Sequence, residues 1–339
     1  MSDEREAAIA QVMIDWVERE GPPTDAARVL IVDDDTGMLG RPFKAAGATV
    51  SYWRRRAYAG KANPWPVSGE VDLVVLRLPR DWPAFAMQVH AVASRLRPGG
   101  RLWVYGGNDE GIKSAPKRLS EVDPGWKAET LWIKQRVRIL EALRPEGFAP
   151  RAELASWREE LTLDLPHVGP TRLVSYPGLF AHGRLDLASA LLLDALPLPS
   201  PGARVLDLGC GAGALSLGLS RRQPGLKHYL ADVDSLALAA ASENLPGASF
   251  LPGDGWAAVE LGARFDLVLS NPPLHKGHAQ DLSVLHSLID QAPMRLVSGG
   301  RLVLVTWRAT GALARMRERL KRVEVLAEQG GTIVISAMG

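Results

Sequence analysis

Three short stretches of this chain occur twice, in the same order. Ala27-Arg28-Val29-Leu30 returns as Ala203-Arg204-Val205-Leu206. VDLVVLRLPR over 71–80 is matched by FDLVLSNPPL over 265–274, and LRPGGRLWV from residue 96 by LVSGGRLVLV from residue 296. The separation grows along the chain from 176 to 200 residues, as loop insertions cause. One such match is chance; three in register argue for a duplicated unit, and each copy must bury the same kind of core.

Each copy alternates strand and helix. Its strand runs are almost continuously apolar, the pattern of a parallel sheet covered on both faces. In the second copy strands are expected at 204–208, 226–231, 250–251, 265–270 and 301–306, with helices at 212–222, 235–244 and 282–296 between them. The tail, 323–325 and 332–336, reads as an antiparallel hairpin closing the sheet. This is a doubly wound α/β pattern. The expected organisation is a first domain over 1–150, a Pro- and Gly-rich linker over 151–180, and a second domain over 181–339.

Composition excludes several classes. Lys plus Arg number 40 and Asp plus Glu 38, so neither a globally basic nucleic-acid binder nor an acidic disordered chain fits. The single cysteine, Cys210, rules out intramolecular disulfides and cysteine-based zinc sites, and the scattered histidines suggest no metal. The amino-terminal residues MSDEREAAIAQ lack the apolar core of a signal peptide, and no apolar run approaches membrane-spanning length. A cytoplasmic protein with no membrane partner is expected.

Chemistry concentrates in the second copy. After its first strand comes Asp207-Leu208-Gly209-Cys210-Gly211-Ala212-Gly213. Glycines there permit a sharp turn and bring bare backbone against a ligand; a plain strand-to-helix turn is the alternative. A dinucleotide fingerprint needs G-x-G-x-x-G, whereas this loop is G-x-G-x-G behind an acid. That acid repels a pyrophosphate and suits a cationic ammonium or sulfonium. Asp232, at the end of the second strand, is placed to accept from ribose hydroxyls. Asp254, after the third, is placed to accept from an adenine amine. Together they fit a nucleoside carrying an amino acid, S-adenosylmethionine. Asp234 reads as a helix N-cap.

The fourth strand ends in Ser270-Asn271-Pro272-Pro273-Leu274-His275. Two prolines stop the ladder and stiffen the loop. They leave the Asn271 amide and the Pro272 carbonyl as acceptors at the sheet edge where ligands of open α/β sheets bind. A planar amine is a poor nucleophile. Two acceptors on its N–H groups favour pyramidalisation and stabilise the charge that develops, so catalysis comes from positioning and preorganised electrostatics.

VLDLGCGAG, LADVD, GDGW and SNPP together resemble motifs of the class I S-adenosylmethionine-dependent methyltransferases. The likeness is greatest to the RsmC/RlmG-type ribosomal RNA guanine-N2 methyltransferases. It extends to Phe180-Ala181-His182-Gly183-Arg184-Leu185-Asp186, to Leu274-His275-Lys276-Gly277, and to the loop around Gly106-Gly107-Asn108. The resemblance implies two tandem Rossmann-like domains, the first degenerate. It also implies that Asp207, Gly209 and Gly211 shape the methionine end of the cofactor site. Asp232 holds the ribose, Asp254 the adenine, and Asp186 helps close the pocket. Asn271 and Pro272 grip the target amine, with Pro273, Leu274 and His275 lining the substrate side. The implied reaction is methyl transfer to an exocyclic amine, guanine N2 of small-subunit ribosomal RNA, with rRNA or the small subunit as partner. Adenine N6, a protein glutamine, or a non-catalytic RNA-binding assembly factor remain as alternatives.

One departure stands out: the family's aromatic after Asn-Pro-Pro is here Leu274. Base–aromatic stacking is worth about 1–3 kcal/mol, so its loss weakens the grip on a flipped base unless His275, Trp256 or Trp307 takes over or Leu274 packs on the base edge. The first copy has lost its glycines to Asp33-Asp34-Asp35-Thr36-Gly37 and its Asn-Pro-Pro to Arg77-Leu78-Pro79, so no catalysis is expected there. Its Arg54-Arg55-Arg56, Arg77 and Arg80 are candidate phosphate contacts. Eight of the ten tryptophans precede residue 160 and read as packing of the first copy.

Overall fold

A computed structural model describes residues 2–58, 61–67, 69–273, 275–276, 279–280 and 282–339. The chain divides into two compact units, Met1–Arg158 and Glu159–Gly339.

The first unit holds strands β1 (Arg28–Val32), β2 (Thr49–Trp53), β3 (Val71–Arg77), β4 (Leu96–Gly107), β5 (Ala128–Lys134) and β6 (Val137–Leu143) in the order β2-β1-β3-β4-β6-β5. The first four are parallel and β6 is antiparallel to its neighbours. Helices α1 (Ser2–Glu20), α2 (Gly40–Ala45), α3 (Trp82–Ala93) and α4 (Ala115–Val122) cover it. Alternate strand residues feed two cores, because successive side chains leave a strand on opposite faces. Val29, Ile31, Leu73, Val75, Trp103 and Tyr105 pack with α1, whereas Leu30, Val32, Val74, Leu76, Leu102 and Val104 pack with α3 and α4. Every residue of β3 is buried, as its unbroken apolar run requires.

The second unit opens with a hairpin of β7 (Glu159–Leu165) and β8 (Gly169–Ser175). The prolines and glycines that make 151–180 read as a linker include the turn of this hairpin. Then follow α5 (Leu187–Ala195), β9 (Arg204–Leu208), α6 (Ala214–Arg222), β10 (Lys227–Asp232), α7 (Ser235–Asn244), β11 (Ser249–Pro252) and β12 (Phe265–Ser270). After the two-residue strands β13 (His275–Lys276) and β14 (Ala279–Gln280) come α8 (Ser283–Arg295), β15 (Leu296–Trp307), α9 (Ala312–Arg319), β16 (Lys321–Gln329) and β17 (Thr332–Met338). The sheet order is β11-β10-β9-β12-β15-β17-β16, and the β16–β17 hairpin is antiparallel as expected. The expected helices at 212–222 and 282–296 start later or stop earlier, since Gly213 caps α6 and Leu296 already pairs as strand.

Duplication is visible in fine detail. The backbone N–H of Arg28 donates to Asp72 at 2.9 Å, and that of Arg204 to Asp266 at 2.8 Å. Both sheets carry the same register shift, where Gly99-Gly100 and Gly299-Gly300 interrupt the pairing of β3 with β4 and of β12 with β15. The fold is thus two doubly wound α/β units, as the repeat predicts. No helix among the described residues is long and apolar enough to cross a membrane.

Candidate active site

In the second unit β9 is followed by β10 on one side and β12 on the other. The chain changes direction there, and the loops after β9, β10, β11 and β12 meet along one edge. Gly209 and Gly211 lie in the loop after β9, Asp232 ends β10, Asp254 follows β11, and Asn271 follows β12.

The glycine loop is built on left-handed backbone, with φ of 77° at Gly209, 54° at Gly211 and 83° at Gly213. A Cβ at Gly209 or Gly211 meets nothing within 4 Å, so these positions border open space. A Cβ at Gly213 would press on Leu230 at 3.1 Å, so that glycine serves packing. The N–H groups of Gly209 and Cys210 donate to the Ala231 carbonyl at 2.8 and 3.1 Å, tying the loop to β10. Asp232 fastens it again: its Oδ2 accepts from Gly211 N at 2.8 Å and its Oδ1 from Asp234 N at 2.9 Å. Burial pushes the Asp232 carboxyl up to about 6, against the pull of the Asp234 and Gly211 amides. The carboxylate keeps acceptor capacity for a further donor.

Asp207 lies beneath the loop, fully buried. Its Oδ2 accepts from Ser216 Oγ of α6 at 2.8 Å, while Oδ1 has no partner among the described residues. Burial raises this carboxyl to about 6 as well. An orphaned acceptor under a glycine loop bordered by open space fits a ligand that brings donors. Asp254 is exposed and precedes a 3-10 turn. Cys210 is buried, and burial raises its thiol well above the usual range, so it is no nucleophile.

Asn271 is held from a distant segment. Its Nδ2 donates to Asp186 Oδ2 and to Ser189 Oγ, both at 2.9 Å. Asp186 also caps α5, accepting from Ser189 N at 3.0 Å. Ser270 Oγ donates to the Leu208 carbonyl at 2.7 Å, so the ends of β12 and β9 are fastened side by side. Pro272 is buried and Pro273 exposed. Leu274 lies outside the described residues, and His275 is described only as the start of β13.

Of the aromatics considered as replacements at Leu274, Trp256 is excluded. It sits in the core with its Nε1 donating to the Leu288 carbonyl at 3.3 Å and the Arg295 guanidinium over its ring. Trp307 ends β15 at the same edge as Asn271 and is 40 % exposed. No group of three His, Cys, Asp or Glu suited to a metal occurs among the described residues.

The methyltransferase small domain family matches residues 170–336, and its N-terminal companion domain matches residues 48–128. A Stutzerimonas stutzeri protein named ribosomal RNA small subunit methyltransferase C is 32% identical over 324 residues, 91% of this chain and 92% of that protein. The chain belongs to the methyltransferase small-domain family. A Pseudomonas entomophila protein of the same name is 37% identical over 79% of this chain and 81% of its own. Among solved structures, the T. thermophilus 16S rRNA N2 G1207 methyltransferase RsmC, in complex with AdoMet and guanosine, matches with a TM-score of 0.82. It is 26% identical, and the match covers 96% of this chain and 91% of that one.

Within this methyltransferase fold the first unit keeps the frame and fills the site. Arg77, at the place of Asn271, is buried, with Nη2 donating to Glu110 at 2.7 Å and Nε to Glu6 at 3.0 Å. Burial opposes its charge, but the two glutamates more than offset that and raise its pKa. Arg55 is also buried. Arg54 lies over the Tyr52 ring and donates to the Asp34 carbonyl, and Arg56 pairs with Asp35 at 3.6 Å. Arg77 and Arg55 therefore present no surface to a phosphate, contrary to expectation. Arg77 faces inward to meet Glu6 and Glu110. Ser189 and Ser216 were invisible as site residues, since a lone serine on an apolar helix carries no pattern.

Proposed function

We propose that this protein transfers a methyl group from S-adenosylmethionine to the N2 amine of a guanine in small-subunit ribosomal RNA. The observation that carries this reading is Asn271. It stands at the end of β12 beside the glycine loop, and its Oδ1 has no hydrogen-bond partner among the described residues.

When bound, the cofactor supplies a methyl carbon made electrophilic by a positively charged sulfur. Asp207, Gly209 and Gly211 would form the cradle for its amino-acid end, Asp232 would accept from the ribose, and Asp254 would face the adenine amine. Asn271 Oδ1 and the Pro272 carbonyl accept the two N–H groups of the target amine. That grip turns the nitrogen lone pair out of the ring and stabilises the positive charge as it forms. No base is required before transfer, since a proton leaves the charged amine readily once the methyl is attached. The base must leave its stack to reach the edge. With Leu274 in place of an aromatic, Trp307 at the end of β15 is the candidate ring for stacking on it. The RNA is held by contacts outside the arginines buried in the first unit. Action on ribosomal subunits means that the protein works in the cytoplasm.

The test is Asn271→Ala with tritiated cofactor and small ribosomal subunits. Transfer is expected to fall by about 10²–10³-fold, the usual cost of one preorganised polar contact in a transition state, with cofactor affinity nearly unchanged. Full transfer by the variant overturns the mechanism. Label appearing in free adenine-bearing RNA or in protein, with none in the guanines of the subunit, overturns the substrate.

A further inference from the structure

We infer that Asp186 and Ser189 are positioning residues that fix which end of the Asn271 carboxamide meets the substrate amine; this rests on the reading of Asn271 given above. A terminal amide can turn by half a rotation about its last bond and present either oxygen or nitrogen. With nitrogen outward, a donor would face the donors of the amine and the site would be silent.

Three observations decide the orientation. Both protons of Asn271 Nδ2 are spoken for, one by Asp186 Oδ2 and one by Ser189 Oγ, each at 2.9 Å. A carboxylate is an acceptor only, so a reversed amide would set its oxygen against the Asp186 oxygen. The pair is itself fixed, because Asp186 Oδ2 also takes the Ser189 N–H at 3.0 Å as the cap of α5, and Ser189 is buried. A bond to a charged acceptor is roughly twice as strong as one between neutral groups.

The first unit has the same arrangement with other chemistry. There the helix before the first strand supplies Glu6 to Arg77, the residue at the place of Asn271. In both units an acid at the helix before the first parallel strand reaches the end of a strand paired with that strand, β3 beside β1 and β12 beside β9; in the second unit it orients an amide.

The experiment uses the full-length protein, tritiated cofactor and small ribosomal subunits. Cofactor affinity is read by calorimetry, and the Asn271 side-chain amide by nitrogen-15 NMR. Ser189→Ala keeps the helix cap and removes one acceptor; kcat is expected to fall about tenfold, the loss of one such hydrogen bond, with cofactor Kd unchanged within about twofold. Asn271→Asp sets two carboxylates together and is expected to lose about 100-fold or more. Combining it with Asp186→Asn restores a donor–acceptor pair in the opposite sense and leaves one Asp oxygen free for the amine. That double variant is expected to recover at least about tenfold over Asn271→Asp alone. A double variant no better than Asn271→Asp, or a Ser189→Ala enzyme with wild-type kcat, overturns the inference. If the wild-type protein methylates no ribosomal subunit, the functional reading falls and the NMR decides separately. The Asn271 amide protons should exchange slowly in the wild type and at least about tenfold faster in Ser189→Ala; equal exchange overturns the inference.

Discussion

The two units of this chain keep the same frame and differ almost entirely at one edge. Gly209, with φ 77°, corresponds to Asp33, held at φ 53°. Gly209 N bonds to Ala231 O at 2.8 Å, and Asp33 N to Trp53 O at 2.9 Å, so the backbone path survives the loss of glycine. What changes is the space. The Asp33 carboxylate accepts from Arg55 N and Gln88, and the Asp34 carboxylate from three backbone amides of its own loop. Asp33 and Asp34 are thus taken up by the unit itself, although Asp35 Oδ1 is left buried without a hydrogen-bond partner among the described residues. Asp207 becomes Ile31 in the apolar core, Asp232 becomes Arg54, and Asn271 becomes the ion-paired Arg77. The comparison teaches that binding in the second unit depends on groups left partly unsatisfied, and the first unit spends the same positions on its own stability.

Three experiments can break or sharpen that contrast. Arg77→Ala takes the buried guanidinium from Glu6 and leaves Glu110, among the described residues, with only Arg5 at 3.8 Å and the Gly107 amide at 2.7 Å. It is expected to destabilise the first unit by about 3 kcal/mol or more. Hydrogen exchange should then quicken in β1 and β3 and not in β9 and β12; uniform quickening would mean that the units do not unfold separately. Asp207→Asn tests the tension in the second unit. The buried carboxyl at about 6, against 3.8 when unfolded, binds its proton more tightly in the folded state. Wild-type stability therefore declines as pH rises from about 4 to 6. The Asn variant lacks that decline, so the stability difference between the two proteins should change by about 3 kcal/mol across this window. Denaturation midpoints at pH 4, 5, 6 and 7 measure it, and a constant difference refutes it. Smallest is Gly209→Ala, expected to cost about 1–2 kcal/mol for left-handed backbone, with Gly209→Asn costing less. Asp33 predicts the second result, and chemical unfolding of the two variants checks it.

Much of this was legible in the sequence because apolar periodicity reports burial directly. Strands 204–208 and 265–270 and helix 235–244 are found where the pattern sets them. The repeat foretold the shared sheet, and Asp234 caps α7 as read, accepting from Leu236 N. Polar partnership was not legible, because it is decided by which side chains the fold brings together. The Arg54-Arg55-Arg56 run reads as a surface patch until the structure turns Arg55 inward. Trp256 reads as a ring near the site until it appears in the core. The hairpin in 159–175 was masked by the prolines and glycines around its turn. The tie between Asp186 and Asn271 joins residues 85 apart in sequence, which no local pattern can express.

The matching bonds from Arg28 N to Asp72 and from Arg204 N to Asp266 lie at the amino ends of their strands, away from every group discussed as chemistry. Strand pairing is thereby secured from one rim of each sheet while the other rim is left to vary. Such a layout makes loss of activity an easy evolutionary step and its recovery a local one. An engineer wishing to open a second pocket in the first unit would leave the amino rim alone. The work would be confined to residues 31, 33–37, 54 and 77, and to the helix that carries Glu6.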